Sequence, residues 1–246
     1  MEQNGRSFAA LKILKPAGLE EEGRGLKLLQ WYAGDGAVTV FDVHGDSIFM
    51  EWLDGSTLGE PSRAGKDDEA TIALASVVSN LHRPRADMPT DLVPLRERFE
   101  PLFNTEMRVW PHTARDLFAR ASGIARKLFD KPAAEMALHG DLHHDNIISS
   151  DRGWLAIDPK GVLGDPHYEV ANAFRNPQGA AIASDPRRIK ARADILSSRL
   201  GFDRKRMLGF AAAHSGLSIC WNLASGDSIT NDLAVLPLLL NAYDQA

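Results

Sequence analysis

The densest group of reactive side chains in this 246-residue chain is His139-Gly-Asp-Leu-His-His-Asp-Asn146, followed by Ile157-Asp158-Pro159-Lys160-Gly161. Asn146 lies five positions after Asp141, and Asp158 twelve positions after Asn146, with short apolar runs between them. An aspartate, an asparagine and a second aspartate in this order can divide the work of phosphoryl transfer. One carboxylate orients an attacking hydroxyl and accepts its proton, while an amide oxygen and another carboxylate hold a metal ion on phosphate oxygens. The short offset matters because base and metal ligand then leave one tight loop toward the same cleft. Hard oxygen donors of this kind suit Mg2+. A lone loop aspartate is ordinarily a turn former or helix cap, and Asp145 and Asp151 are read that way. The joint pattern marks Asp141 as the base and Asn146 and Asp158 as metal ligands.

These residues need a scaffold. Ile147-Ile148 and Trp154 to Ile157 are strand-like runs around Asp151-Arg152-Gly153, which predicts a hairpin set into a helical body. Helical spacing of apolar residues covers Asp67 to Leu81, Pro111 to Phe129, Asp203 to Leu223 and Asp232 to Tyr243. Asp185-Pro186 has the cap-then-proline order of a helix start. Ahead of this body, Asn4-Gly5 is a hairpin dipeptide and Phe8 to Leu14 reads as a strand. Leu19 to Tyr32 suits a helix, although Gly23 and Gly25 disfavour its first turn. Ala37 to Val43 and Ser47 to Leu53 then read as two strands. The fold class expected is α+β: a small sheet with one helix, followed from Asp54 by a helical body.

Bulk properties exclude several functions. A net charge of −5 argues against binding nucleic acid through phosphate neutralisation, and points to a small-molecule partner. A single cysteine permits neither an intrachain disulfide nor a zinc site of paired cysteines, which fits a cytoplasmic setting. The N-terminus lacks the pattern of a secretory signal, and the apolar stretch Leu233 to Leu240 falls far short of the roughly 20 residues that span a bilayer. Neither a membrane span nor an oligomeric state is read from the sequence.

His139-Gly-Asp141, Asn146 and Ile157-Asp158 resemble the aminoglycoside phosphotransferase family of protein-kinase-like enzymes. Asp158-Pro-Lys-Gly161, Tyr168-Glu-Val-Ala-Asn172 and Arg175-Asn-Pro177 resemble its branch of streptomycin 6-phosphotransferases and hydroxyurea phosphotransferases. The resemblance implies a bilobal fold, with a β-rich nucleotide-binding lobe over 1–53, hinge included, and a helical catalytic and substrate-binding lobe over 54–246. It implies an ATP- and Mg2+-dependent phosphotransferase acting on a hydroxyl of an aminoglycoside or hydroxyurea. The alternatives are a metabolite kinase of the same fold, for a sugar, choline or an amino alcohol, or a nucleotide-binding pseudokinase.

The resemblance also assigns residues. Lys12 is the strand lysine expected on the nucleotide phosphates, although both strand faces are largely apolar and alternation does not by itself select it over Lys15. Glu22 is its expected ion-pair partner. The backbone from Glu51 to Leu53, within Phe49-Met-Glu-Trp-Leu-Asp-Gly55, is the expected adenine hinge. Asp165, Glu169 and Asn172 are expected to line the acceptor site, where carboxylates would suit a polycation. His143 and His144 read as organisers of the loop. Only eleven residues precede Lys12 and no Gly-x-Gly-x-x-Gly occurs near the start. The small lobe is therefore expected to be truncated, lacking its first two strands and their phosphate-covering loop.

Overall fold

A computed structural model of the chain describes residues 8–15, 19–131, 133–178 and 181–246, so the turn expected at Asn4-Gly5 lies outside the described residues. The β-rich run forms β1 (Ala9–Ile13), and the helix predicted after it is α1 (Leu19–Tyr32). Next come β2 (Val40–His44) and β3 (Ser47–Glu51), and the antiparallel sheet has the order β1-β3-β2. Alternation puts Ala10, Lys12, Ile48 and Met50 on the face toward a cleft, and leaves Leu11, Ile13, Phe41 and Phe49 exposed on the other. β2 begins later than the pattern from Ala37 suggests. Ala37 bridges Ala156 instead, and the Val38 amide donates to the Ala156 carbonyl, so this stretch belongs to the hairpin of the helical body.

The two glycines of α1 are not equivalent. A Cβ on Gly25 would lie 2.0 Å from the Pro159 carbonyl oxygen, so this helix can close onto Asp158-Pro159 only because that side chain is absent. Gly23 meets nothing within 4 Å. The helix is held by burial of Leu28, Leu29 and Tyr32 rather than by propensity.

The helical body begins with α2 (Gly59–Arg63) and α3 (Asp67–Leu81), the latter as predicted. A short strand β4 (Val93–Pro94) leads into α4 (Leu95–Arg98) and α5 (Glu100–Asn104). α6 (Arg115–Asp130) starts four residues later than expected because His112–Ala114 turns as a 3-10 helix. β5 (Met136–Leu138), the hairpin of β6 (Ile147–Ser150) and β7 (Gly153–Ala156), and β8 (Val162–Gly164) follow. β8 lies between β4 and β5, and these two- and three-residue strands are too short to show a period in sequence.

The last three helices are α7 (Pro186–Leu200), α8 (Arg204–Ser225) and α9 (Thr230–Asp244). Asp185 caps α7 by accepting from the Arg187 amide, and Asp203 caps α8 by accepting from that of Arg206. α8 is buried on every side from Met207 to Cys220, and α6 and α9 pack against it. No helix among the described residues is long and apolar enough to cross a membrane.

Candidate active site

β5 delivers the chain into the loop 139–146, which is tied down from below by buried groups. Glu169, with no exposed side-chain surface, accepts from the backbone amides of His139 (3.0 Å) and Gly140 (3.2 Å), and its Oε2 lies 3.1 Å from His82 Nε2. Burial alone would raise the Glu169 carboxyl, but His82 and the His139 amide outweigh it and hold it below the usual range. His139 Nδ1 accepts from the Asp141 amide (3.3 Å), so its proton is on Nε2, which donates to the Ile157 carbonyl (2.8 Å). Burial keeps this imidazole neutral by lowering its pKa. One histidine thus ties the loop that carries Asp141 to the segment that leads from β7 into Asp158.

The expected roles of the next two histidines follow the same logic. His143 Nδ1 accepts from the Asp145 amide (3.2 Å), and His144 is buried with Nε2 2.9 Å from Arg192 Nη2. Asp145 forms a two-point pair with Arg63 of α2 (3.1 and 2.8 Å) rather than facing a ligand.

The Asp141 carboxylate is held on both oxygens. Asn172 Nδ2 donates to Oδ1 (2.8 Å); Asn146 Nδ2 donates to the Asp141 carbonyl (3.0 Å) and more weakly to Oδ2 (3.4 Å). With its amide nitrogen committed to Asp141, Asn146 keeps Oδ1 without a hydrogen bond among the described residues. From Asn146 the hairpin runs out and back, and the Ile157 amide donates to the Asn146 carbonyl (2.9 Å), which returns the chain to Asp158 beside its starting point. Asp158 has φ +59°, a left-handed conformation that aspartate tolerates at a cost of about 1 kcal/mol and that is characteristic of functional sites.

Asp158 faces a cleft of about 400 Å3 shared with Asn146, Lys12 and Glu22 and walled by apolar groups including Leu26, Val38, Met50 and Ile148. Lys12 Nζ lies 2.5 Å from Asp158 Oδ1 and 2.5 Å from Glu22 Oε2, and Lys160 Nζ approaches Asp158 Oδ2 at 3.4 Å. Lys12 is therefore the lysine on the cleft face, and Glu22 is its partner. Burial works against both charges, but on Lys12 the bonds to Asp158 and Glu22 prevail and raise its pKa, and on Asp158 the two lysines prevail and lower its own. An amide oxygen and a carboxylate on one wall suit a Mg2+ ion that takes its other ligands from phosphate and water.

Glu51 and Leu53 border the same cleft. The Glu51 side chain turns away: Arg152, from the hairpin turn, donates Nε to Oε1 at 3.0 Å and Nη2 to Oε2 at 2.5 Å. The same guanidinium bonds the Gly34 carbonyl (2.8 Å) and Thr39 Oγ1 (3.3 Å). Sequence reading took Arg152 only as part of a turn, and nothing local signals this reach.

The three residues expected to line an acceptor site do other work. Asp165 is buried and spent on His167 Nδ1 (2.6 Å), the His167 amide (3.0 Å) and Arg206 Nε (2.5 Å). Glu169 holds the loop from below, and Asn172 holds Asp141. In the structure all three polar groups find partners inside the fold. A second cleft, of about 700 Å3, is lined by Glu97, Glu100, Asn104, Arg98, Lys160 and Trp221, with Arg24 and others completing its walls.

Three comparisons bear on this geometry. The family model described as aminoglycoside/hydroxyurea antibiotic resistance kinase matches residues 2–226. A streptomycin 3''-kinase of Klebsiella pneumoniae is 39% identical over 236 residues, covering 94% of this chain and 86% of that protein. A streptomycin 6-kinase of Streptomyces griseus is 32% identical over 229 residues, covering 89% and 72%. Among solved structures, a choline/ethanolamine kinase family protein from Mesorhizobium loti superposes with a TM-score of 0.68 at 14% identity, covering 97% of this chain and 87% of that one. Aminoglycoside phosphotransferase APH(3'')-Id from Streptomyces rimosus, solved with ADP and streptomycin, gives 0.62 at 18% identity, covering 88% of each. The fold is therefore the bilobal, protein-kinase-like one.

Proposed function

We propose, from the premise that this chain belongs to the aminoglycoside/hydroxyurea antibiotic resistance kinase family and is a small-molecule kinase, that it transfers the terminal phosphoryl group of ATP to a hydroxyl of streptomycin or a closely similar aminoglycoside. The observation that carries this reading is the double attachment of Asn146. Its amide nitrogen bonds Asp141, while its side chain lines the cleft of Asp158 and Lys12. Proton acceptor, metal ligands and phosphate cation are thereby supported as one unit.

In this reading Asp141 orients the acceptor hydroxyl and takes its proton as the oxygen–phosphorus bond forms and the bond to ADP breaks, without a phosphoenzyme. Asn146 and Asp158 would hold Mg2+, which when bound neutralises phosphate charge. Lys12, steadied by Glu22, contacts the phosphates. The backbone of Glu51 to Leu53 takes the adenine at the junction of a nucleotide lobe, 1–53, and a catalytic lobe, 54–246. The acceptor enters by the second cleft. There the Glu97 and Glu100 carboxylates make no bond among the described residues and are open to guanidinium groups, whereas Lys160 points at Asp158 and Arg98 lies over the Trp221 ring at 5.0 Å.

The test is a coupled ADP-release assay with Mg-ATP against streptomycin, other aminoglycosides, hydroxyurea and choline. Turnover with streptomycin, and an NMR spectrum locating the new phosphate on the 3'' or 6 oxygen, is the expected result. Nucleotide binding without turnover on any acceptor would leave an inert nucleotide-binding protein in its place, and turnover confined to choline a metabolite kinase.

A further inference from the structure

The Arg175-Asn-Pro motif has no part in the reading above, and the geometry of its arginine gives it one. The Asn172 side chain must present nitrogen, not oxygen, to Asp141, because only N–H can donate to a carboxylate. Nitrogen and oxygen of an amide have nearly the same shape, so packing alone does not choose between them. The choice is made on the far side of Asn172. Its Oδ1 accepts from Arg175 Nη1 (3.2 Å) and Asn176 Nδ2 (3.0 Å), and a guanidinium can only donate. Reversing the amide would set NH2 against a cation and oxygen against a carboxylate.

Arg175 is in turn fixed. Asp232, the acidic residue in the first turn of α9 and 1% exposed, grips it through two parallel bonds, Nε to Oδ1 at 2.6 Å and Nη2 to Oδ2 at 2.8 Å. Asp232 also receives Ser215 Oγ (3.3 Å) and Ser218 Oγ (3.1 Å) from α8. A fork of this kind leaves the guanidinium one orientation, and the remaining Nη1 then points at Asn172.

We propose that Asp232 and Arg175 are positioning residues for phosphoryl transfer, acting through the polarity of the Asn172 amide to hold the Asp141 carboxylate on its hydroxyl-facing line. The chain Asp232–Arg175–Asn172–Asp141 carries this setting from α9 to the base, and Arg175 acts on Asp141 through Asn172. The inference rests on the kinase reading for its kinetic consequence but not for its structural one, and the experiment separates the two.

The structural readout is the Asn172 side-chain NH2 pair in an amide NMR spectrum, assigned by its loss in Asn172→Asp. In the wild-type chain it exchanges slowly with solvent. In Arg175→Lys, which keeps the buried charge but not the fork, and in Asp232→Asn, it is expected to exchange faster or broaden. The kinetic readout is the split between kcat and KM with Mg-ATP and streptomycin. Both variants should lose kcat by on the order of 10- to 100-fold, the scale of a misplaced catalytic group, with KM for nucleotide and acceptor unchanged. Arg175→Met should be worse than Arg175→Lys. An unaltered Asn172 amide in cooperatively folded Arg175→Lys overturns the proposal whether or not the chain turns over, as does a rise in KM at constant kcat. Absence of turnover in the wild-type chain, with the amide effect present, overturns the kinase reading alone. If Arg175→Lys does not fold, Asp232→Asn is read by the same two criteria.

Discussion

Lys12 Nζ and Asp158 Oδ1 lie 2.5 Å apart across 146 positions of sequence, and the same ammonium bonds Glu22 on α1. One cation therefore joins the small sheet, its helix and the aspartate after the hairpin. Asp158 holds a left-handed backbone there, and Gly25 lets α1 approach the Asp158-Pro159 backbone. The charge of Lys12 is thus held between two carboxylates at the wall of the cleft.

Removing that cation should separate binding from folding. Lys12→Met is expected to lower kcat/KM for ATP by on the order of 100-fold, the scale for loss of one preorganised electrostatic contact. The thermal midpoint should move little, because Lys12 is about one-third exposed and a pair so placed is screened by solvent. Steady-state kinetics and a melting curve check both halves.

Asp141→Asn should reduce turnover by on the order of 1,000-fold or more by removing the proton acceptor. Mg-ATP should still bind, since Lys12, Asn146 and Asp158 are untouched. Isothermal calorimetry beside the coupled assay distinguishes this from misfolding.

Glu169 gives a pH dependence of stability with a definite sign. Its folded-state pKa is depressed, so its contribution is present in full above the unfolded carboxylate value of about 4.3. That contribution is lost as pH falls below this value through the lower folded one. Glu169→Gln should flatten the acid limb of the stability curve. It should also cost about 1–3 kcal/mol at neutral pH, because a backbone amide in the catalytic loop loses its partner. Urea melts from pH 3 to 7 would show it, and a wild-type curve parallel to that of the variant would contradict it.

Arg152→Ala should act on nucleotide affinity. Its guanidinium fastens Glu51 and the Gly34 carbonyl to the hairpin that carries Asn146. Loss of this tie is expected to raise KM for ATP on the order of 5-fold, the equivalent of about 1 kcal/mol, with kcat retained. Titration with ADP provides a check that does not depend on turnover.

The proposed acceptor cleft predicts an effect on the other substrate. Glu100→Gln combined with Glu97→Gln should raise KM for streptomycin on the order of 10-fold or more, with KM for ATP unchanged. Added salt should weaken acceptor binding to the parent chain more than to the double variant.

By itself the sequence determined what depends on short spacing and local chemistry. The proximity of Asp141, Asn146 and Asp158 was legible because one loop and one hairpin bring them together, and the helices α1, α3 and α7 because periodicity and caps are local properties. Lys12 needed the resemblance, since both faces of its strand look alike. Tertiary structure decided the partners. Asp165, Glu169 and Asn172 are by type either ligand groups or helix caps, and only the packing gives them their partners in Arg206, the loop amides and Asp141. Arg175 meets Asp232, and Arg152 meets Glu51, across 57 and 101 positions. No residue type or period records contacts at such separations, because they exist only once the packing of α8 and α9 and the closure of the hairpin on the sheet have chosen which polar groups lose water and must find each other.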